Sequence, residues 1–369
     1  MRAAIIGCGV IGKTHVNAIA ADGRGEVVWA CDTDIERAQA LVPNARHAFD
    51  LAEVLLDDSL DVIHLCTPHA VHKGQLVAAV AAGRHIICEK PLATTPADLH
   101  AMVAAAERHQ AAGKIAACIF QHRHGLLARR LQELIAAGSF GALQSANLPF
   151  RCTRRRAYYD SAAWRGTWAV EGGGTCINQA IHSIDQLVWL CGGDPVAVTA
   201  TCANKRLQDV IEVEDEASGS IRFGSGLVAT FDIANDQTTG WDMHIEVVGE
   251  RGSFRFTPNG GGQLFALEHE DQAVVDELRA IEQAIAGGGA TGVATKAEYG
   301  NLHTVQIADC YDAIEQGRQP HVTIANGATA CEVVLGIYHS AATAAEAALP
   351  LADANYQHPV LVGTAATAR

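Results

Sequence analysis

The stretch that most constrains this chain is its beginning. Ala3 to Ile6 is a continuous apolar run, and Gly7-Cys8-Gly9-Val10-Ile11-Gly12 follows it directly. Glycines at this spacing, between a strand and a helix, permit a tight turn and a close backbone approach to a pyrophosphate. The helix that begins there supplies amide donors and a favourable dipole for an anion. Asp32 ends the next apolar run, 27–31. A carboxylate at that place accepts hydrogen bonds from both ribose hydroxyls and repels a 2′-phosphate, so the pattern favours NAD over NADP. Gly7, Gly9, Val10, Ile11, Gly12 and Asp32 are therefore candidate cofactor-binding residues. The plainer alternative is a glycine turn with a helix-capping Asp.

The first third of the chain repeats the theme. Runs 3–6, 27–31, 62–66, 85–88 and 115–120 read as strands, apolar throughout, as expected where both sheet faces are buried. Helical patterns over 71–82 and 96–110 lie between them. Such alternation predicts a parallel sheet covered by helices. The pattern changes after about Phe120. A helix is expected over 126–137, then a long Arg- and aromatic-containing segment over 151–168. Gly172-Gly173-Gly174 opens a helix running to Leu190. Over 196–256 apolar and polar residues alternate: Trp241, Met243, Ile245 and Val247 interleave with Asp242, His244 and Glu246. Turns at Gly224-Ser225-Gly226 and Gly249-Glu250-Arg251-Gly252 then predict an antiparallel meander. One face would pack on helices, and the other would be an exposed apolar face for solvent or another subunit. Helices over 299–316 and 327–347 close the chain, and Gly260-Gly261-Gly262 and Gly287-Gly288-Gly289 read as loops.

Composition narrows the partners. The chain has 369 residues, 49% hydrophobic and 18% charged, enough core material for two domains. Lys and Arg total 27 against 41 Asp and Glu, a net charge of −14. No basic stripe exceeds the short run from Arg151 to Arg156, which argues against nucleic acid and anionic membranes. No stretch approaches the ~20 apolar residues of a membrane span. The N-terminal apolar run ends at once in glycines, unlike a signal peptide. The 11 cysteines include no CxxC pair and sit in apolar segments, which predicts reduced thiols in a cytoplasmic protein. No metal site is expected: His182 with Asp185, and His122 with His124, lack a recognisable third ligand.

Two further motifs leave strands at their carboxyl ends, the edge where open α/β sheets bind ligands. Cys66-Thr67-Pro68-His69-Ala70-Val71-His72 leaves the run 62–66 at its carboxyl end, although Pro68 could simply stop the strand and His72 pack in the next helix. Glu89-Lys90-Pro91 follows 85–88, placing Lys90 in a partly enclosed position suited to acid–base work. Farther on, Asn178, His182 and Asp185 fall at spacings of four and three, on one helical face opposite Ile177, Ile181, Ile184 and Val188. An active-site helix and a half-exposed helix share that pattern.

Together these motifs resemble the Gfo/Idh/MocA oxidoreductase family over nearly the whole chain. Trp164-Arg165-Gly166-Thr167-Trp168, Glu171-Gly172-Gly173-Gly174 and Gly317-Arg318-Gln319-Pro320 complete the set. The resemblance implies an α/β protein with an N-terminal Rossmann NAD-binding domain, 1–121. A C-terminal α/β domain, 122–369, would carry a large open, mostly antiparallel sheet for substrate binding and for a homodimer or homotetramer. It implies hydride transfer between a nicotinamide and a secondary alcohol carbon of a sugar, sugar derivative or cyclitol, with Lys90 and His182 flanking the reacting carbon. Glu89 would approach the nicotinamide ribose, and Trp164 and Arg165 the cofactor and the mouth of the site. Cys66, Thr67, Pro68, His69 and His72 join the cofactor-binding set. Lys90, Arg123, Tyr158, Asn178, His182, Asp185 and His303 form the substrate set. Many members carry Asp where this chain has Asn178. An amide cannot take a proton, so Lys90 and His182 remain as the acid–base pair and Asn178 orients. Some relatives are NAD-dependent glycosidases and others are regulators, and both stand as alternatives.

Overall fold

The computed structural model describes residues 1–235, 240–259, 262–287 and 301–361. Gly260, Gly261, Gly288, Gly289 and Tyr299, expected in loops and at a helix start, lie outside the described residues. The first strands are β1 (Arg2–Ile6), β2 (Glu26–Cys31), β3 (Arg46–Ala48), β4 (Val62–Leu65), β5 (His85–Cys88) and β6 (Ala116–Cys118). Then come β7 (Leu143–Cys152), β8 (Pro195–Ala203), β9 (Glu216–Phe223), β10 (Val228–Asn235) and β11 (Asp242–Met243). The last are β12 (Ile245–Gly249), β13 (Gly252–Thr257), β14 (Gln263–His269) and β15 (Ala347–Ala348). The helices are α1 (Val10–Asp22), α2 (Ile35–Leu41), α3 (Leu51–Leu55), α4 (His72–Ala81), α5 (Pro96–Ala111) and α6 (Leu126–Ala136). They continue with α7 (Arg156–Tyr159), α8 (Ile181–Leu190), α9 (Gln272–Ala286), α10 (Asn301–Gln316) and α11 (Ile324–Thr343). No helix among the described residues is long and apolar enough to cross a membrane. All 11 cysteines are free thiols, and only Cys202 is not fully buried.

Packing divides the chain into two units. The first takes Met1–Ala93, Ala97–His124 and, from far along the chain, residues 301–328. A single cut into 1–121 and 122–369 misses that return. Its cause is apolar packing: Ile307, Cys310, Tyr311 and Ala313 of α10 share one buried cluster with Ala3, Ile5, Ala18 and Ile19. The approach is close enough that a Cβ on Gly25 would lie 2.8 Å from the Tyr311 ring.

The first unit holds a six-stranded parallel sheet in the order β3-β2-β1-β4-β5-β6. This is the doubly wound dinucleotide-binding order, whose strand direction of progress reverses beside β1. The strand expected over 115–120 contracts to β6, and β3 is too short to register as an apolar run. The helix expected from Val71 opens instead as a 3-10 turn, His69–Val71.

The second unit takes Thr94–Pro96 and the described residues of 125–287 and 329–361. Its sheet runs β14-β13-β12-β7-β10-β9-β8-β15, with β11 also paired to β7. The single meander expected over 196–256 is therefore two meanders separated by β7. That strand runs parallel to β10 and antiparallel to β12. Pro149 hid it, because a proline inside a run argues against a central strand. The proline has no N–H to give, and the β11–β12 side of the ladder breaks at His244, opposite it. The inner face buries Ala146, Leu148, Phe150, Ala229, Phe231 and Ile233. Each phenylalanine contributes about 1.5–3 kcal/mol by leaving water. The outer face is not the apolar surface expected: Thr199, Thr201, Ser218, Thr230 and Asp232 occupy it, all exposed. Thr230 donates to Asn147 across it at 3.0 Å.

Candidate active site

The glycine loop follows β1 and leads into α1. Gly7 has φ +95°, and a Cβ there would lie 2.5 Å from the Cys66 carbonyl oxygen. A Cβ on Gly12 would strike the Gly7 carbonyl oxygen. Only glycine fits either place. Gly9 differs: a Cβ there meets nothing, so the loop is bare toward open space. Gly9 also begins α1 without a side-chain cap, and the first turn carries no acidic residue. Val10 is 81% exposed. The amide donors at this helix start are thus left for an anionic ligand. Asp32 stands beside the loop, its Oδ2 accepting from Cys8 N–H at 2.8 Å and its Oδ1 from Asp34 N–H at 2.9 Å. These bonds fix the carboxylate, whose remaining lone pairs suit ribose hydroxyls. The residues present fit a bound dinucleotide.

At the carboxyl edge of the sheet, His72 joins two loops. Its Nε2 lies 2.8 Å from the Thr67 carbonyl oxygen, after β4. Its Nδ1 lies 2.8 Å from the Pro91 carbonyl oxygen, after β5. Burial pushes the His72 pKa down, against the two carbonyls that favour the protonated ring. Thr67 donates to Gln75 Oε1 at 2.5 Å. Pro68 precedes the 3-10 turn, in which His69 is buried. Lys90, half-buried, therefore leaves the strand between two anchored neighbours.

One of those neighbours, Glu89, faces the protein interior. It is 4% exposed. Its Oε1 lies 3.0 Å from His15 Nε2 and 3.3 Å from His303 Nε2, and its Oε2 accepts from Lys90 N–H at 3.2 Å. Burial raises its pKa, but hydrogen bonds from His15 and His303 outweigh burial and hold it well below the carboxylate range. His15 in turn meets His64, Nδ1 to Nδ1, at 2.9 Å, and His64 Nε2 lies 3.3 Å from the Tyr311 hydroxyl. Burial pushes both His15 and His64 down. His15, Glu89 and His303 are also close enough together to hold a metal ion. Sequence reasoning missed His15, His64 and Tyr311. The one available signal was a histidine inside the otherwise apolar strand 62–65.

In the second unit, the helix expected from Gly174 begins with a π-helical stretch, Thr175–Ala180, before α8. Such wide turns recur at functional sites. Glu214 holds its start: Oε2 accepts from Gly174 N–H at 2.8 Å, and Oε1 from Cys176 N–H and Tyr338 O–H, each at 2.9 Å. Burial lifts the Glu214 pKa to about 7. Ile177, Ile181, Ile184 and Val188 are buried, as is Asp185, whereas Asn178 and His182 are only half-buried.

Asn178 meets a constellation the sequence did not assemble. Its amide donates to Glu171 Oε1 and to the Tyr158 hydroxyl, the latter at 3.2 Å. Tyr158 also accepts from Gln179 Nε2 at 3.0 Å and from Arg165, whose guanidinium stacks 4.1 Å from the Tyr158 ring and 4.5 Å from Trp164. Glu171 further accepts from Gly166 N–H, and burial lifts its pKa to about 7. Tyr158, Trp164, Arg165 and Asn178 are thus one cluster. Arg123 belongs to the first unit, buried, with Nη2 3.4 Å from the Asn326 carbonyl oxygen.

Comparison with known proteins shows the family and the fold. Residues 1–115 match the model of an oxidoreductase family with an NAD-binding Rossmann fold, and residues 128–255 match the GFO/IDH/MocA C-terminal domain. The 1,5-anhydro-D-fructose reductase of Ensifer adhaerens is 28% identical over 352 residues, covering 93% of this chain and 96% of the relative. Inositol 2-dehydrogenase 3 of Saccharopolyspora erythraea is 26% identical over 309 residues, covering 79% and 87%. A crystal structure of the WlbA dehydrogenase from Bordetella pertussis, with NADH and UDP-GlcNAcA, is similar at TM-score 0.83 and 28% identity, covering 95% of this chain and 98% of that one.

Proposed function

We propose that this chain, which belongs to the Gfo/Idh/MocA family of NAD-binding oxidoreductases, oxidises or reduces a secondary alcohol carbon of a sugar, sugar derivative or cyclitol. The observation that carries the reading is the pairing of a bare glycine loop and fixed Asp32 with Lys90, held at the ligand edge of the same sheet. Relatives that reduce an anhydro-sugar and oxidise inositol support the substrate class. Their activities do not favour a glycosidase or a regulator.

NAD, when bound, accepts the hydride. The hydroxyl proton of the same carbon must leave as the hydride does, and Lys90 or His182 takes it. The other group, when cationic, stabilises the developing alkoxide. Asn178, its amide hydrogens committed to Glu171 and Tyr158, orients the substrate. Tyr158, Asp185 and Arg123 complete the substrate set, with Trp164 and Arg165 toward the cofactor. His303 belongs with Glu89 in this reading, given their 3.3 Å contact. The free thiols support a cytoplasmic location, and the net charge of −14 argues against nucleic acid. Assembly as a homodimer or homotetramer follows the family resemblance, and light scattering at micromolar concentration tests it, a monomeric mass refuting it.

A screen of sugars, inositols and nucleotide sugars, followed by NADH absorbance, tests the reading. It stands if one class turns over in wild type and fails in Lys90→Met. Glycoside cleavage without net NADH would replace it.

A further inference from the structure

Glu89 ends a line of four side chains that begins at Tyr311. The Tyr311 hydroxyl lies 3.3 Å from His64 Nε2, His64 Nδ1 lies 2.9 Å from His15 Nδ1, and His15 Nε2 lies 3.0 Å from Glu89 Oε1. Tyr311, His64 and His15 are fully buried, so water cannot complete their hydrogen bonding. Two neutral imidazoles that meet through Nδ1 share one proton, and one ring donates while the other accepts.

The ends of the line decide the direction. Glu89 receives donors on both oxygens, the Lys90 N–H among them, which marks it as an acceptor. Burial pushes the Tyr311 phenol up, so its proton stays in place to be donated. His15 must then donate from Nε2 and accept at Nδ1. His64 must donate from Nδ1 and accept the Tyr311 proton at Nε2. Each hydrogen bond in the line is satisfied with both rings neutral. The opposite order would turn a His15 lone pair onto the Glu89 carboxylate.

We infer that Tyr311 and His64 fix His15 as its Nε2–H tautomer, and that His15 is thereby a positioning residue that holds Glu89 under the Lys90 backbone. The inference rests on the proposed role of Lys90. A divalent cation between His15, Glu89 and His303 would require the reverse order, because His15 Nε2 would then offer its lone pair. The tautomer therefore separates the two.

The experiment combines ¹⁵N-histidine NMR of the whole protein with kinetics. His15 is expected as neutral Nε2–H and His64 as neutral Nδ1–H. Tyr311→Phe, which removes one hydroxyl, should mix the His64 tautomers. An Nδ1–H or doubly protonated His15, or one equivalent of bound metal by elemental analysis, overturns the inference. In turnover, His15→Leu should lower kcat roughly tenfold or more with KM for NAD within about twofold. His15→Gln, whose amide still donates to Glu89, should recover to within about threefold. If Lys90→Met is inactive but His15→Leu is not, this inference fails and the proposed function survives. If Lys90→Met is fully active, the proposed function fails, and the NMR result still decides the hydrogen-bond order. Should His15→Leu not fold, Tyr311→Phe decides alone: unchanged histidine tautomers overturn the inference.

Discussion

His72 Nδ1 and the Pro91 carbonyl oxygen lie 2.8 Å apart, fastening the segment that carries Lys90 to the neighbouring loop, where Thr67 contacts the same ring. Replacing His72 by Leu would remove the single N–H of the neutral ring and leave the Pro91 or the Thr67 carbonyl without its donor, at about 1–3 kcal/mol. His72→Leu should therefore lower Tm by several degrees. Because small misplacement of a reacting group is costly, kcat should fall about tenfold or more. Thermal unfolding and steady-state kinetics check this, and an unchanged kcat would show that the fastening is irrelevant to Lys90.

In the proposed reading Asp32 sets cofactor choice. Its carboxylate, held by Cys8 and Asp34 backbone N–H groups, would on that reading repel a 2′-phosphate. NAD should be preferred in kcat/KM, and Asp32→Ala should narrow the gap from both sides. Equal or better use of NADP by the wild type would contradict the assignment.

Much of this was legible in sequence because it is local. Gly7, Gly9, Gly12, Asp32 and Glu89-Lys90-Pro91 lie within single strand-to-helix turns, and apolar runs mark the strands around them. What escaped notice is assembled from distant pieces. Glu89 meets His15 of α1 and His303 of α10, and Glu214 caps a helix start some way before it in the chain. No periodicity links such residues. Strand β7 was hidden for a different reason, since Pro149 contradicts the local rule for a central strand. Alternation tells the two sheet faces apart without saying what the outer one presents, so the apolar outer face it predicts is polar in the structure.

Glu171 should give the rate profile an inflection near neutrality. Its pKa is lifted to about 7 by burial, and in the ionised form it accepts from Gly166 N–H and Asn178. Activity should rise through about pH 7 as this acceptor forms, and Glu171→Gln should remove the inflection. Stability runs the other way. The folded chain keeps protons on Glu171 and Glu214 that the unfolded chain releases near 4.5, so their contribution falls from pH 4.5 to about 7 and is flat above. Unfolding followed from pH 5 to 7.5 should show a shallower fall in Glu171→Gln, and an unaltered slope would contradict the assigned pKa.

The central claim is that Lys90 and His182 share the proton work of hydride transfer. General acid–base groups are typically worth ~10²–10⁴-fold. The most direct measurement is kcat on the identified substrate for Lys90→Met and His182→Ala, alongside NAD affinity by titration. The account predicts losses in that range for each variant, with NAD affinity nearly unchanged and a double variant losing less than the product. Near-wild-type kcat in both single variants would contradict it.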